Sequence, residues 1–140
     1  MGWPMNRNKY TIDGRLEDVL ALIQVLALDI DSHRSEAGLK TELPERPNSS
    51  DSWLQLAKEH QEFFRVLEGK QNPISLVTRH VSEEARRKRP PLSPEFTHAL
   101  LNTAIELHDR QVRRSQRWAV LIPIWVALIG AVVVMSNRFN

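Results

Sequence analysis

The sequence predicts a mostly helical α+β chain: a small head of three helices and a β-hairpin, a long stalk helix, and one C-terminal transmembrane helix. Three observations carry this expectation. Residues 118–135 read WAVLIPIWVALIGAVVVM, 18 positions without a charge. Apolar side chains recur at helical spacing through residues 16–27. Two short runs of strand composition, residues 63–67 and 74–79, flank the turn-forming Glu68-Gly-Lys-Gln-Asn-Pro73.

Taken in order, residues 1–12 form a flexible N-terminus with no apolar core of an export signal. Gly2 lacks the Ser or Thr that myristoylation favours four residues on, because Asn6 stands there. The head spans residues 13–81. Asp13 serves as the helix cap, Glu17 and Asp18 fall in the favourable first turn, and Leu16, Val19, Leu20, Ile23, Leu26 and Ala27 form the buried stripe. A turn at residues 29–34 leads to Ser35, the cap of a short second helix with Ala37, Leu39 and Leu43 inward. Pro44 and Pro47 bracket its end. A third helix starts from Asn48-Ser-Ser-Asp-Ser with Trp53, Leu56 and Ala57 inward; Gln55, Lys58 and Glu59 lie outward. The hairpin follows, its returning strand running to Arg79 with Ile74, Leu76 and Thr78 on one side.

Residues 82–92 are a basic, proline-containing linker in which Arg86, Arg87, Lys88 and Arg89 precede Pro90 and Pro91. The stalk, residues 93–117, opens with Ser93 as cap, Pro94 at the first helical position and Glu95 after it. Its thin stripe is Phe96, Leu100, Thr103 or Ala104, Leu107 and Val112. That stripe either packs on the head or drives self-association. The helix has no break before Met135, a rod of about 63 Å at 1.5 Å per residue.

The span at residues 118–135 measures about 27 Å as a helix, near the roughly 30 Å hydrocarbon core of a bilayer. Trp118 and Trp125 belong to this anchor, Pro123 introduces a mild kink, and Ala127 and Ala131 have the small-xxx-small spacing of close helix contacts. Arg110, Arg113, Arg114 and Arg117 crowd one flank, against Arg138 alone beyond it in the tail, residues 136–140. This asymmetry places the N-terminal part in the cytoplasm and the C-terminus across the membrane.

The segment SEAGLKTELPERPNSSDSWLQLAKEHQEFFRVLEGKQNPISLVTRH resembles the winged-helix modules grouped as LOTUS or HARE-type domains. Leu39, Leu43, Trp53, Phe63, Phe64, Val66, Gly69 and Leu76 carry the resemblance, which covers residues 13–81. It implies a helix-turn-helix with a wing, acting as a binding module for nucleic acid or protein rather than as an enzyme.

Charge separates these two classes. Residues 13–80 hold eight Lys/Arg against twelve Asp/Glu, a net −4, whereas residues 81–140 hold nine against five, a net +4. The helix that would enter a DNA groove offers Asp51, Gln55, Lys58 and Glu59, and the wing offers Lys70 and Gln71. Duplex binding needs several cations on one face, so these six side chains are expected to meet a protein partner or larger membrane complex. The alternative is nucleic-acid capture at the membrane by the wing together with Arg86, Arg87, Lys88 and Arg89. Those four, with Arg113, Arg114 and Arg117, also suit phosphate or lipid headgroups. Self-association through stalk and anchor helices is a further option.

Catalytic chemistry is not expected. The chain has no cysteine, its histidines (His33, His60, His80, His98, His108) have no metal-ligand spacing, and its five glycines form no phosphate loop. No cofactor is expected.

Overall fold

The computed structural model describes residues 9–80 and 91–139. The elements are α1 (Arg15–Leu28), β1 (His33–Arg34), α2 (Glu36–Leu39), α3 (Trp53–Glu59), β2 (Phe64–Val66), β3 (Ile74–Leu76) and α4 (Pro94–Arg138). Short 3-10 turns occupy Lys9–Thr11 and Val77–His80. The mostly helical α+β class expected from the sequence is the class observed, with a small antiparallel sheet and one long apolar C-terminal helix.

The helix α1 buries Val19, Leu22, Ile23, Leu26 and Ala27 and leaves Leu16 and Leu20 partly covered. Its start differs from expectation. Gly14, not Asp13, occupies the cap position, at φ 74°, and no side chain caps there. That left-handed conformation costs glycine nothing. Asp18 instead turns to the loop before α3, accepting from the Ser49 amide at 2.7 Å and the Ser49 hydroxyl at 2.6 Å. At the other end Arg79, 2% exposed, donates to the carbonyls of Leu26 and Asp29 at 2.9 and 2.8 Å. A guanidinium thereby satisfies carbonyls that a helix terminus leaves open.

The expected second helix is a single turn. Ser35 does cap it, accepting from the Gly38 amide at 3.0 Å, and Leu39 is buried. Ala37, expected inward, is exposed, because it stands two residues from Leu39 and so on the opposite side of the turn. Glu36 reaches across to α3, where its two carboxylate oxygens accept from the Trp53 and Leu54 amides at 2.9 and 2.7 Å. With Ser52 accepting from Gln55, the start of α3 is fully capped. Trp53, Leu56 and Ala57 face the core as expected, and the Trp53 indole donates to the Pro44 carbonyl at 2.9 Å.

The sheet has the order β1-β3-β2, antiparallel throughout. The residues 29–34 read as a turn include the two-residue strand β1, pairing His33 with Ser75 and Arg34 with Ile74. On the other side Phe64 pairs with Leu76 and Val66 with Ile74. Because β3 is central, Ile74, Ser75 and Leu76 are all buried. The returning strand stops at Leu76, and the stretch expected to continue it to Arg79 winds into a 3-10 turn.

Two boundaries move. Residues 9–12, assigned to a flexible terminus, place Tyr10 in the core at 1% exposure. The stalk is not separate from the head up to Gln111. Leu92 donates its amide to Ala27 at 2.9 Å, Ala104 is fully buried, and Gln111 Oε1 accepts from the Tyr10 amide at 3.0 Å. Of the two fates open to the stalk stripe, packing on the head is the one observed. Phe96, expected on that stripe, is 48% exposed, and Thr97 is buried in its place. The helix continues through Pro123 to Arg138.

Leu22→Ala is expected to cost about 2–5 kcal/mol because the side chain is fully buried in the core, whereas Phe96→Ala should stay within about 0.5 kcal/mol. Chemical denaturation of the full chain in detergent, followed by Trp53 fluorescence, separates the two.

Candidate functional site

A shallow groove of about 690 Å³ lies between α3 and the β2–β3 hairpin. Val66, Leu67 and Val77 supply an apolar floor, while Lys58, Gln61, Arg65, Glu68 and Lys70 supply the polar rim. The hairpin turn depends on Gly69, whose φ of 79° would strain any other residue. Lys58 Nζ meets Glu68 Oε1 at 2.7 Å, so one ion pair crosses from helix to hairpin. The Lys58 hydrogen bond holds the Glu68 carboxyl below the usual carboxylate range.

Of the side chains nominated from sequence, Lys58 and Lys70 line this groove; Asp51, Gln55, Glu59 and Gln71 do not. Gln55 donates to Glu59 Oε1 at 3.1 Å, and Glu59 Oε2 receives Arg15, so both are engaged on the flank of α3. Asp51 and Gln71 are exposed. Arg65 and Gln61 were missed. Arg65 is the outward residue of β2 between buried Phe64 and half-buried Val66, an alternation that Phe63-Phe-Arg-Val already carried. The rim therefore holds three cations against one carboxylate, opposite in sign to the head as a whole.

Behind α3 a buried polar cluster fixes the helix in place. Tyr10 donates its hydroxyl to Glu62 Oε1, and His60 Nδ1 lies 3.0 Å from the same oxygen. Lys9 Nζ reaches Glu62 Oε2 at 2.6 Å and the Glu59 carbonyl at 2.9 Å. Arg15 NH1 lies 3.4 Å from His60 Nε2 and also pairs with Glu59. Since arginine only donates, Nε2 must be the unprotonated nitrogen and Nδ1–H the donor to Glu62. Burial pushes the His60 pKa down, which agrees with a neutral ring. Burial also pushes Tyr10 up, reinforced by its bond to Glu62. Burial would raise Glu62, but hydrogen bonds from His60, Lys9 and Tyr10 outweigh it and hold that carboxyl at about 2. The cluster is closed at His60, which has no solvent exposure, and reaches the surface at Glu62, whose side chain is 29% exposed. It works as a strut between the N-terminal turn and α3. Among the described residues no group of His, Cys, Asp or Glu is placed to hold a metal ion.

Arg86, Arg87, Lys88 and Arg89 lie outside the described residues. Arg113, Arg114 and Arg117 are exposed on α4, and Trp118 is part of that helix. Pro123, Trp125, Ala127 and Ala131 are exposed as well. Among the described residues α4 is the one helix long and apolar enough to cross a membrane, and none of its apolar window is buried. No protein-family model, curated protein or solved structure matches the chain.

Acid should unfold the head in two stages. His60 titrates below its ordinary 6.5, so its contribution is present above that pH and is lost as pH falls through the depressed folded value. Glu62 contributes above its ordinary 4.5 and is lost between there and about 2. Thermal melts across this range should show Tm falling with pH, and Glu62→Gln should flatten the lower stage. Tyr10→Phe leaves Glu62 two other donors and should cost roughly 1 kcal/mol.

Proposed function

We propose that this chain is a single-pass membrane protein whose winged-helix head, on the cytoplasmic side, binds a protein partner as an adaptor or accessory subunit. The observation that carries the reading is α4 itself: one helix whose N-terminal half is packed into the head and whose C-terminal half is an uncovered apolar rod. Such a rod is at home in hydrocarbon and unfavourable in water. The arginine excess ahead of it favours a cytoplasmic head.

Support for the winged-helix reading comes from element order. The sequence α1-β1-α2-α3-β2-β3 with sheet order β1-β3-β2 is the connectivity of that class, β1 being the short strand between the first two helices. The groove between α3 and the wing combines an apolar floor with a basic rim. It suits an extended partner segment that alternates apolar and acidic side chains. Nucleic acid is the second reading, favoured by the same three rim cations. It is disfavoured because Glu68 already neutralises Lys58, and because Asp51 and Glu59 flank the helix that would enter a groove.

Three measurements test this. Alkaline carbonate should leave the full chain in the membrane pellet; its release would end the anchor reading. Arg65→Glu with Lys70→Glu should abolish capture of partners by the full chain from detergent extract, while leaving its melting curve in place. An unchanged set of captured proteins counts against the groove. Titration with labelled DNA and RNA at physiological salt should show no saturable binding, and tight binding lost in the same double variant would transfer the function to nucleic acid.

A further inference from the structure

The last two turns of α4 before its apolar stretch carry Arg110, Arg113, Arg114 and Arg117, at i, i+3, i+4 and i+7. That spacing gathers them on one helical face. The face is not the one that packs on the head, which uses Thr97, Leu100, Ala104, Leu107 and Gln111. All four arginines are exposed and together rim an open concavity of about 410 Å³. Arg110 has one acidic neighbour, Glu106 at 3.7 Å, with both side chains about 70% exposed, a pair worth little in water. Among the described residues no ion pair engages Arg113, Arg114 or Arg117. Like charges at this spacing repel and destabilise a helix unless anions sit between them.

Their depth supplies the anion. Arg117 directly precedes Trp118, and Arg110 lies seven residues earlier, about 10 Å along the axis. A leaflet's headgroup layer is on the order of 5–8 Å deep outside the hydrocarbon. With residues 118–135 in that hydrocarbon, Arg113, Arg114 and Arg117 stand at the level of lipid phosphates. We propose that this arginine face binds the phosphate groups of anionic phospholipids in the leaflet where α4 enters the bilayer. The proposal rests on the membrane-anchored reading above. Guanidinium forks suit phosphate oxygens, two bonds at a time. The head packs on another face of the same helix, so the contact leaves that packing in place.

The test reconstitutes the full chain in vesicles of phosphatidylcholine alone and in an equal mixture with phosphatidylglycerol. Two variants accompany it, R110Q/R113Q/R114Q/R117Q and the same four positions changed to lysine. After mild detergent extraction, the ratio of phosphatidylglycerol to phosphatidylcholine retained on the protein is measured. The wild-type and lysine forms should retain the two lipids at a phosphatidylglycerol-to-phosphatidylcholine ratio several-fold above that of the bulk mixture. The glutamine form should fall by about fivefold or more, the effect of at least one basic side chain near an anionic surface. Its circular dichroism should not change, because the arginines lie outside the core. A wild-type ratio equal to bulk overturns the proposal, and so does enrichment that survives in the glutamine form. Preferential capture of labelled RNA over phosphatidylglycerol vesicles by the arginine face overturns it too. Release of the chain from phosphatidylcholine vesicles by alkaline carbonate is a different failure, removing the anchor and the proposal with it. Retention without lipid preference removes the proposal alone.

Discussion

One helix both closes the head core and runs on beyond it as an uncovered apolar rod, and the rest of the fold is arranged around that. The N-terminal turns of α4 close the head core against α1 and the Lys9–Thr11 turn, with Ala104 small enough to let the backbones approach. The same helix then runs on without interruption into residues that no part of the head covers. No flexible joint lies between Gln111, bonded to Tyr10, and the apolar stretch. Any orientation imposed on the apolar end is therefore transmitted to the head.

A second consequence is economy of regular structure. Apart from α1 and α4, the longest element is α3, with seven residues, and the strands have two or three. Segments this short have little stability of their own. Side chains from distant parts of the chain hold them instead. Glu36 caps α3, Asp18 grips Ser49, Arg79 closes the end of α1, and Glu62 gathers Tyr10, His60 and Lys9. Several of these groups are charged and buried, a costly arrangement unless each finds partners. Acid sensitivity follows directly, because the partners are carboxylates.

The groove shows how a local field departs from an overall one. The head is acidic by composition, yet several of its carboxylates are committed inward or to neighbours, and those of Asp18, Glu36, Glu59 and Glu62 serve as internal acceptors. Arg65 and Lys70 are left facing solvent beside Val66 and Leu67. Any molecule that approached the groove would meet that surface rather than the average.

Periodicity and composition by themselves determined the long elements: α1 through its apolar stripe, α3 through Ser52 and Trp53, the hairpin through Gly69 and its flanks, and α4 through Ser93, Pro94 and 18 uncharged residues. These are local signals, written within one or two turns of chain. What they could not carry was anything decided by a partner distant in sequence. The strand β1 pairs only through β3, Tyr10 is held by Glu62 and Gln111, and Gly14 takes the cap position of α1 at a φ of 74° that a side chain would strain. Of the groove's polar rim, Lys58 and Lys70 were legible. Glu59 turned to Arg15, 44 residues away in sequence, and Arg65 joined the groove where β2 pairs with β3. Only the packed chain brings such residues within reach of each other.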